Sequence, residues 1–401
     1  MVGRLIRSYR ENESIMTEGE PGTCAYLIES GMVLVYLISD GIEIPLKTLG
    51  KGEIFGEMAM IDNRPRSASC RALSNVSLVV VTQEQLLDRI HASDPIVRLL
   101  MRALLDRLRG QNDTLRGIPV QYIPIVTEEL QKERIQALAR IGIENQLAEA
   151  LKNNEFIPYY QPIYNIETDQ ACGCEALIRW RTPNGKIITP GEFVDVLEES
   201  SLILNVGQMM IEKCLEDLAR MKNDLPFTGN FFVSINISGR QFTDPNFLGQ
   251  LEAARAKSGM PARHVKLEVT ERIMTEGPQA IKSLQACRDL GYHIAIDDFG
   301  TGFSSLQYLA SMPLTDLKID RTFISQMMID EKAQSIVKTL IYLAKPLNLN
   351  LIAEGIETQA QKFRLKALGV KYGQGFLLSR PVPYEELVLI LNPKKTPLEA
   401  A

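Results

Sequence analysis

Histidine is scarce in this sequence. Only three histidines, His91, His264 and His293, occur among its 401 residues. The composition therefore argues against chemistry built on a histidine cluster, and a metal site in this chain would have to use carboxylates and amides. Oxygen ligands of that kind favour magnesium, manganese or calcium over zinc or copper.

Long apolar runs, an export signal and an excess of basic residues are lacking too. No uninterrupted apolar run reaches the roughly 18 residues that cross a bilayer. The opening stretch "MVGRLIRSYRENES" has no apolar segment with a small-residue cleavage site. The net charge is -5, whereas general nucleic-acid binders are usually basic. We expect a cytoplasmic protein with neither membrane nor nucleic acid among its partners.

Cysteine is present but dispersed. The six cysteines are spread through the chain, at Cys24, Cys70, Cys172, Cys174, Cys214 and Cys287. We interpret them as reduced thiols, as is usual in the cytoplasm. The C-x-C pair Cys172 and Cys174 has no second pair to complete a zinc site, so a packing role is favoured.

The first hundred residues are typical of a β sandwich or roll. Short strand-like runs such as "AYLIESG", "VLVYLISDG", "EIPLKTLGKG" and "SLVVVT" are separated by glycine-bearing turns. A helix is then predicted for "DPIVRLLMRALLDRLRGQNDTL", beginning at Asp94-Pro95. A second helical stretch, "TEELQKERIQALARIGIENQLAEALKN", suits a connector that pairs with a second copy, or a helix packed on its own domain. Both interpretations stay open.

Beyond residue 155, β-rich runs alternate with helical patterns. There are eight such runs: "FIPYYQPI", "QACGCEALIRW", "NFFVSINIS", "HVKLEVTE", "HIAIDDFG", "TDLKID", "LNLIAEGI" and "VKYGQGFLL". This alternation predicts an α/β fold, a TIM-like (β/α)8 barrel. The predicted fold class is multidomain: a β-roll domain over residues 1–118, a helical linker over 119–140 and a barrel domain over 141–401.

Polar residues recur where the predicted barrel strands end. A single carboxylate there is usually a helix cap or a solvated loop residue, but nearly every strand ends this way. Closing the barrel would gather these carboxylates at one mouth, where they destabilise one another unless cations neutralise them. The adjacent pair Asp297 and Asp298 in "IAIDDFGTGFSSL" could bridge two divalent ions, an arrangement suited to phosphodiester cleavage. The full set is Gln161, Glu175, Asn236, Glu268, Glu271, Asp297, Asp298, Lys318, Asp320, Glu354, Glu357 and Gln374.

Seven motifs of this region resemble those of EAL-domain cyclic di-GMP phosphodiesterases, in order and separation. They are "CEALIRW", "SINIS", "LEVTE", "IDDFGTGFSSL", "LKIDRTFI", "IAEGIET" and "GQGFLLSRP". The resemblance extends over residues 141–395. It implies a TIM-like barrel whose first strand is antiparallel, two Mg²⁺ or Mn²⁺ ions, and hydrolysis of cyclic di-GMP to linear pGpG.

The resemblance also implies roles for individual residues. The expected metal ligands are Glu175, Asn236, Glu268, Asp297 and Asp298. Asp297 and Asp298 would share the second ion. The expected catalytic residues are Glu175, Lys318, which would lie against the attacking water or the phosphate, and Glu354. Glu271 would support the "DDFGTG" loop. The expected substrate-binding residues are Gln161, Leu177, Arg179 and Gln374.

The N-terminal half resembles a cyclic-nucleotide-binding domain of the catabolite-activator type. The resemblance rests on "TEGEPGTCAYLIESGMVLVY" and "LGKGEIFGEMAMIDNRPRSASCRA", and it implies that "FGEMA" starts a short helix facing the cyclic phosphate. Glu57 would bind the ribose, Arg66 would pair with the phosphate and Ser67 would add a hydrogen bond. The implied binding residues are Gly56, Glu57, Met58, Arg66 and Ser67. The alternative is that "GE" and "RPR" merely mark a turn.

The sequence suggests three alternative functions. The first is an active cyclic di-GMP phosphodiesterase activated by cAMP, or by cGMP, at the N-terminal domain. The second is a catalytically inactive cyclic di-GMP receptor. The third, a nucleotide-dependent transcription factor, is disfavoured by the acidic charge and by the barrel standing where a DNA-binding module would be. Both families commonly dimerise, so a homodimer is expected, and the lack of a "GGDEF"-like stretch argues against a cyclase.

Overall fold

The computed structural model describes residues 5–83, 86, 90, 93–116, 128–224, 231–275, 277–300, 309 and 311–392. The chain divides into two compact units, Met1–Gly142 and Ile143–Ala401. Among the described residues, no helix is both long enough and apolar enough to cross a membrane. All six cysteines are free thiols, in agreement with the sequence.

Two antiparallel four-stranded sheets build the first unit. Its strands are β1 (Ile6–Tyr9), β2 (Ser14–Met16), β3 (Cys24–Ser30), β4 (Val33–Ser39), β5 (Ile42–Leu49), β6 (Ile54–Phe55), β7 (Ser69–Ala72) and β8 (Val76–Thr82). One sheet has the order β1-β8-β3-β6 and the other β2-β7-β4-β5. Buried side chains such as Tyr26, Ile28 and Leu78 form the core. The predicted β sandwich or roll is confirmed.

Three of the described helices precede residue 156. A short one, Met58–Ile61, follows β6. The long helix Pro95–Leu115 begins where the sequence predicted, because the Asp94 side chain accepts a hydrogen bond of 2.7 Å from Ile96 N. The third helix is Glu128–Lys152, and the boundary between the two units falls within it. It includes residues 128–140 of the predicted linker, and residues 119–127 lie outside the described part of the chain.

A closed barrel forms the second unit. Its strands are β9 (Phe156–Asn165), β10 (Gln170–Arg181), β11 (Ile187–Ile188), β12 (Phe232–Asn236), β13 (Val265–Thr270), β14 (His293–Phe299), β15 (Asp316–Ile319), β16 (Asn350–Ala353) and β17 (Tyr372–Gly373). Strand β11 pairs antiparallel with the end of β10 and lies outside the ring. The other eight of these strands close into the ring β9-β10-β12-β13-β14-β15-β16-β17. Strand β9 runs antiparallel to both of its neighbours, whereas the strands from β10 round to β17 are parallel. The predicted TIM-like barrel with an antiparallel first strand is confirmed.

Helices surround this barrel. The α-helices are Val194–Glu199, Leu202–Asp224, Gly239–Thr243, Phe247–Ser258, Pro278–Asp289, Arg321–Gln326, Glu331–Ala344, Gln359–Ala367 and Tyr384–Leu391, and the 3₁₀ helices are Pro190–Glu192, Ala262–His264 and Glu271–Thr275. Successive residues of a strand face opposite sides of the sheet. In β13, Val265, Leu267 and Val269 join the apolar core, and Lys266 and Glu268 take the opposite face. This alternation is what puts polar side chains inside the barrel.

Two of the predicted site residues lie more than two residues from either end of their strands, and for these two the prediction that they lie at strand ends was wrong. Gln161 and Glu175 lie within β9 and β10, directly opposite each other. The reason is strand length: β9 and β10 have 10 and 12 residues, whereas β14 has seven and β17 only two. A long hairpin therefore carries its functional positions in its interior.

Candidate functional site

Lys318 on β15 lies among four carboxylates of the barrel. Its Nζ is 2.6 Å from Glu268 Oε2, 2.7 Å from Glu354 Oε1, 3.0 Å from Asp297 Oδ2 and 3.3 Å from Glu175 Oε2. The Lys318 side chain has no solvent exposure. The closed barrel thus brings residues from five parts of the sequence into one buried ionic cluster.

Two amides orient the carboxylates of this cluster. Asn236 Nδ2 donates to Glu175 Oε1 at 2.9 Å. Gln374 Nε2 donates to Glu175 Oε2 at 2.6 Å and to Glu354 Oε1 at 3.0 Å. Both oxygens of Glu175 are therefore held, one by each amide.

The cluster shifts the pKa of its members in different directions. Burial alone would raise the pKa of Glu175, but the Lys318 ammonium and the two amides outweigh it and lower that pKa. Burial and the neighbouring Glu175 raise the pKa of Glu268 to about 8, although Lys318 opposes the shift. Burial likewise raises the pKa of Glu354 well above its ordinary value. Burial would lower the pKa of Lys318, but the carboxylates around it keep that pKa well above its ordinary value.

The donor set of this cluster fits hard divalent cations. One oxygen from each of Glu175, Glu268 and Asp297 lies within 4.8 Å of the others. Among the described residues, Glu268 Oε1 and Gln374 Oε1 are buried and accept no hydrogen bond. When ionised, the four carboxylates carry a formal charge of -4 and Lys318 adds +1, which leaves -3. Oxygen ligands with excess negative charge suit Mg²⁺ and Mn²⁺.

Asp298 differs from its neighbour Asp297. It is exposed, its φ of 54° lies in the left-handed region, and its backbone N donates to Asp297 Oδ1 at 2.9 Å. Left-handed backbone is uncommon for residues other than glycine, although Asp adopts it more readily than most. The two adjacent carboxylates thus occupy different environments, one in the buried cluster and one facing solvent.

The loop after β14 is held at its first residue. Glu271 Oε1 accepts a hydrogen bond of 2.5 Å from Gly300 N. Residues 301–308 of the "DDFGTGFSSL" motif lie outside the described residues. The Asp320 side chain accepts a hydrogen bond from Thr322 N at 2.8 Å and caps the helix Arg321–Gln326, which is the usual role of a carboxylate at a strand end.

The hairpin β9–β10 carries the other predicted substrate-binding residues. Gln161 is buried and donates from Nε2 to Ser379 O at 3.1 Å. Arg179 is buried as well, with its guanidinium 5.4 Å from the centre of the Tyr159 ring. Leu177 is half-buried on the same strand. These side chains lie on one hairpin with Glu175.

The predicted nucleotide-binding residues cluster between β6 and β7. Gly56 has a φ of +78°, and a Cβ there would lie 2.8 Å from Arg66 Nη1. Arg66 is buried and donates to Gly56 O at 2.5 Å and to Cys24 O at 2.6 Å. Glu57 precedes the short helix that starts at Met58, and burial raises its pKa although Arg66 partly offsets this. Ser67 Oγ lies 3.5 Å from Met58 Sδ.

Ion pairs between this segment and the helix Pro95–Leu115 were missed in the sequence. Arg109 contacts Asp62 through Nε at 2.6 Å and Nη2 at 3.0 Å. Arg64 Nη1 lies 2.9 Å from Asp106 Oδ1. Partners separated by more than 40 residues have no local pattern in the sequence, so these contacts could not be predicted from it.

Comparisons with known proteins identify the families of both parts of the chain. Residues 144–381 match the family model described as EAL domain, which is more than half of the chain. The chain belongs to the EAL family. Residues 6–93 of this EAL protein match the model described as cyclic nucleotide-binding domain.

Three solved forms of the EAL enzyme Bd1971 are similar over nearly the whole chain. The cAMP-bound form is 43% identical with a TM-score of 0.81, the form bound to cAMP and cyclic di-GMP is 44% identical with 0.78, and the cGMP-bound form is 43% identical with 0.79. Each covers 97% of this chain and 100% of the other.

Two curated relatives are similar over about three fifths of the chain. The cyclic di-GMP phosphodiesterase PdeL of Escherichia coli K12 is 34% identical over 240 residues, which is 60% of this chain and 66% of PdeL. The signaling protein YkoW of Bacillus subtilis 168 is 38% identical over 248 residues, or 62% of this chain and 31% of YkoW. The chain of this EAL protein thus spans about a third of the length of YkoW.

Proposed function

We propose that this EAL protein is a cyclic di-GMP phosphodiesterase whose N-terminal domain binds cAMP and thereby activates it. The observation that carries the proposal is the buried cluster of four carboxylates around Lys318. A cluster of this charge is costly to bury unless cations neutralise it. The similarity to the cyclic di-GMP phosphodiesterase PdeL and to the ligand-bound forms of Bd1971 supports the choice of substrate and of nucleotide.

The proposed metal ligands are the oxygen donors of this cluster and its neighbour. Glu175, Asn236, Glu268 and Asp297 would hold one Mg²⁺ or Mn²⁺, and Asp297 with Asp298 would hold the second. Two such ions, when bound, lower the pKa of a water and neutralise charge on phosphate oxygens. The unpartnered Glu268 Oε1 supports this assignment, since it is a buried acceptor with no hydrogen bond among the described residues.

In the proposed reaction, one water is added across one phosphodiester bond. The water oxygen forms a new bond to phosphorus, the bond from phosphorus to the ribose 3′ oxygen breaks, and that oxygen takes a proton, which yields linear pGpG. Lys318 would face the attacked phosphate or the water, and the carboxylates around it, which raise its pKa, favour the ammonium form that attracts negative oxygen. Glu354 would support the same site through its contact with Lys318. Gln161, Leu177, Arg179 and Gln374 would contact the nucleotide, and Glu271 would hold the loop.

The proposed nucleotide site comprises Gly56, Glu57, Met58, Arg66 and Ser67. A guanidinium has five N–H groups, so Arg66 can keep its two carbonyl partners and still donate to a cyclic phosphate. Glu57, beside Arg66, would accept from the ribose hydroxyl. The ion pairs of Asp62 and Arg64 with the helix Pro95–Leu115 support transmission of nucleotide binding to that helix.

The proposed assembly is a homodimer. The helix Pro95–Leu115 exposes Val97, Leu100, Leu104 and Leu108, whose exposed fractions are 45% to 58%. Their three- and four-residue spacing is that of an apolar seam between two helices. A second copy of the chain would bury this stripe.

The test is turnover of cyclic di-GMP by the purified protein with Mg²⁺, with and without cAMP. We expect pGpG as the product and a higher rate with cAMP. Tight binding of cyclic di-GMP without any turnover, under conditions in which Mn²⁺ also fails to support it, would instead establish the inactive receptor.

A further inference from the structure

A second buried ion pair lies one layer below the cluster, on the same two strands. Lys266 Nζ donates to Asp316 Oδ1 at 2.9 Å, and Lys318 Nζ donates to Glu268 Oε2 at 2.6 Å. Lys266 and Glu268 are on β13, and Asp316 and Lys318 are on β15. All four side chains are at most 5% exposed. Because strand side chains alternate in direction, each pair of residues two apart shares a face.

The Lys266–Asp316 pair also contacts neighbouring strands. Lys266 Nζ lies 3.8 Å from the centre of the Phe232 ring on β12. Asp316 Oδ2 accepts a hydrogen bond of 2.6 Å from Thr315 Oγ1. The same Thr315 oxygen accepts from Ile294 N on β14 at 2.9 Å. The pair therefore connects β12, β13, β14 and β15 at the end of the barrel opposite the predicted site.

Strand β14 lies between β13 and β15 and pairs with both, and only the observed offset of β13 and β15 brings opposite charges together across it. Both ion pairs join residues 50 apart in sequence, so they report the same offset. A shift of two residues in one direction would bring Glu268 against Asp316, and a shift in the other would bring Lys266 against Lys318. Either shift buries like charges, and a shift of one residue turns the side chains to the other face. A buried ion pair often contributes little to stability compared with apolar side chains of similar volume, so its best-attested use is to specify an arrangement.

We propose that Lys266 and Asp316 are positioning residues for the metal cluster: they hold β13 and β15 at the offset where Glu268 meets Lys318. The inference rests on the proposed metal site, and it assigns these residues no contact with substrate or ion. Groups that orient metal ligands typically change metal affinity or activity about 10- to 100-fold when removed.

The test compares the wild type with the double variant Lys266→Met, Asp316→Leu, which removes both charges together and so leaves no lone buried ion. Mn²⁺ binding is measured by electron paramagnetic resonance, kcat and KM for cyclic di-GMP are measured at saturating Mn²⁺, and urea unfolding is measured without metal. We expect Mn²⁺ affinity to fall about 10- to 100-fold and kcat to fall with KM nearly unchanged, while the urea midpoint stays at or above that of the wild type. Lys266→Arg, which keeps the charge, is the matched control and should bind Mn²⁺ as the wild type does.

Two results would overturn the proposal. One is unchanged Mn²⁺ affinity and kcat in the double variant; the other is loss of Mn²⁺ affinity only in step with a lowered urea midpoint, which would make the pair a purely structural element. If the double variant does not fold, Lys266→Gln with Asp316→Asn is measured in the same way, and failure of that variant to fold also assigns the pair to stability alone. Absence of Mn²⁺ binding by the wild type would instead refute the proposed metal site itself.

Discussion

Arg109 donates two parallel hydrogen bonds to Asp62, from Nε to Oδ2 at 2.6 Å and from Nη2 to Oδ1 at 3.0 Å. The Asp62 side chain is 6% exposed, so this is a well-shielded bidentate pair. Asp62 follows the short helix Met58–Ile61 directly, and Arg109 belongs to the long helix Pro95–Leu115. The pair therefore links the end of the short helix directly to the long helix.

Removing this pair should uncouple nucleotide binding from catalysis. The double variant Asp62→Asn, Arg109→Gln avoids an unpaired buried charge, which would itself destabilise the domain. Coupling free energies between sites are typically about 1–3 kcal/mol, and we expect most of the cAMP response to be lost while basal hydrolysis persists. The measurement is turnover against cAMP concentration. Arg107→Gln, on the exposed side of the same helix, is the control and should keep the response; a full response in the double variant would show that the pair transmits nothing.

Arg66→Ala should weaken cAMP binding. Removing a hydrogen bond to a charged group costs about 1.5–3 kcal/mol, or roughly 10- to 150-fold in affinity. Isothermal titration with cAMP measures the affinity, and the cAMP response of turnover should shift to correspondingly higher concentrations with basal hydrolysis unchanged. Arg10→Ala, at an exposed position of the same domain, should bind cAMP normally. Wild-type affinity in Arg66→Ala would remove Arg66 from the site.

The proposed site should discriminate among divalent ions. Mg²⁺ and Mn²⁺ should support hydrolysis, whereas Ca²⁺ should support little, because its longer bonds and irregular geometry suit a compact two-ion site poorly. The measurement is the rate of pGpG formation after chelation and return of each ion separately. Vigorous hydrolysis with Ca²⁺ alone would contradict the proposed ligand set.

Glu268 should make the stability of the metal-free protein depend on pH. Its pKa is raised to about 8 in the fold, above the ordinary value of about 4.3. Between these values the folded chain holds a proton that the unfolded chain has released, so the free energy of unfolding falls as pH rises, by at most about 1.4 kcal/mol per pH unit. Glu268→Gln replaces this carboxyl group with an amide that does not titrate. Urea unfolding with chelator from pH 5 to 8 should show a shallower decline in the variant, and equal slopes would refute the shift.

Much of the barrel could be predicted from the sequence because its strands are short apolar runs between helices of clear periodicity. Even β17, only two residues long, was found, since its run "VKYGQGFLL" follows a helix of regular pattern. The contact of Lys318 with four carboxylates could not be derived from local pattern, because it depends on closure of the ring. The placement of Glu175 inside β10 was missed for a related reason: strand length is set by pairing with β9.

The ion pairs that join distant segments were the least predictable. Arg109 and Asp62 are 47 residues apart, and Lys266 and Asp316 are 50 apart. Each side chain alone looks like an ordinary charged residue of a helix or strand. Only the packed fold shows that the latter pair is buried, where an unpaired charge would be costly.

The most direct test of the central claim is hydrolysis of cyclic di-GMP by Asp297→Ala beside the wild type. Both proteins are loaded with Mn²⁺, their folding is compared by circular dichroism, and pGpG is quantified by chromatography. Glu331→Gln, a carboxylate change in the first turn of a peripheral helix, serves as the control. We expect pGpG from the wild type and from Glu331→Gln and none above background from folded Asp297→Ala. Substantial turnover by Asp297→Ala would contradict the proposed two-metal phosphodiesterase.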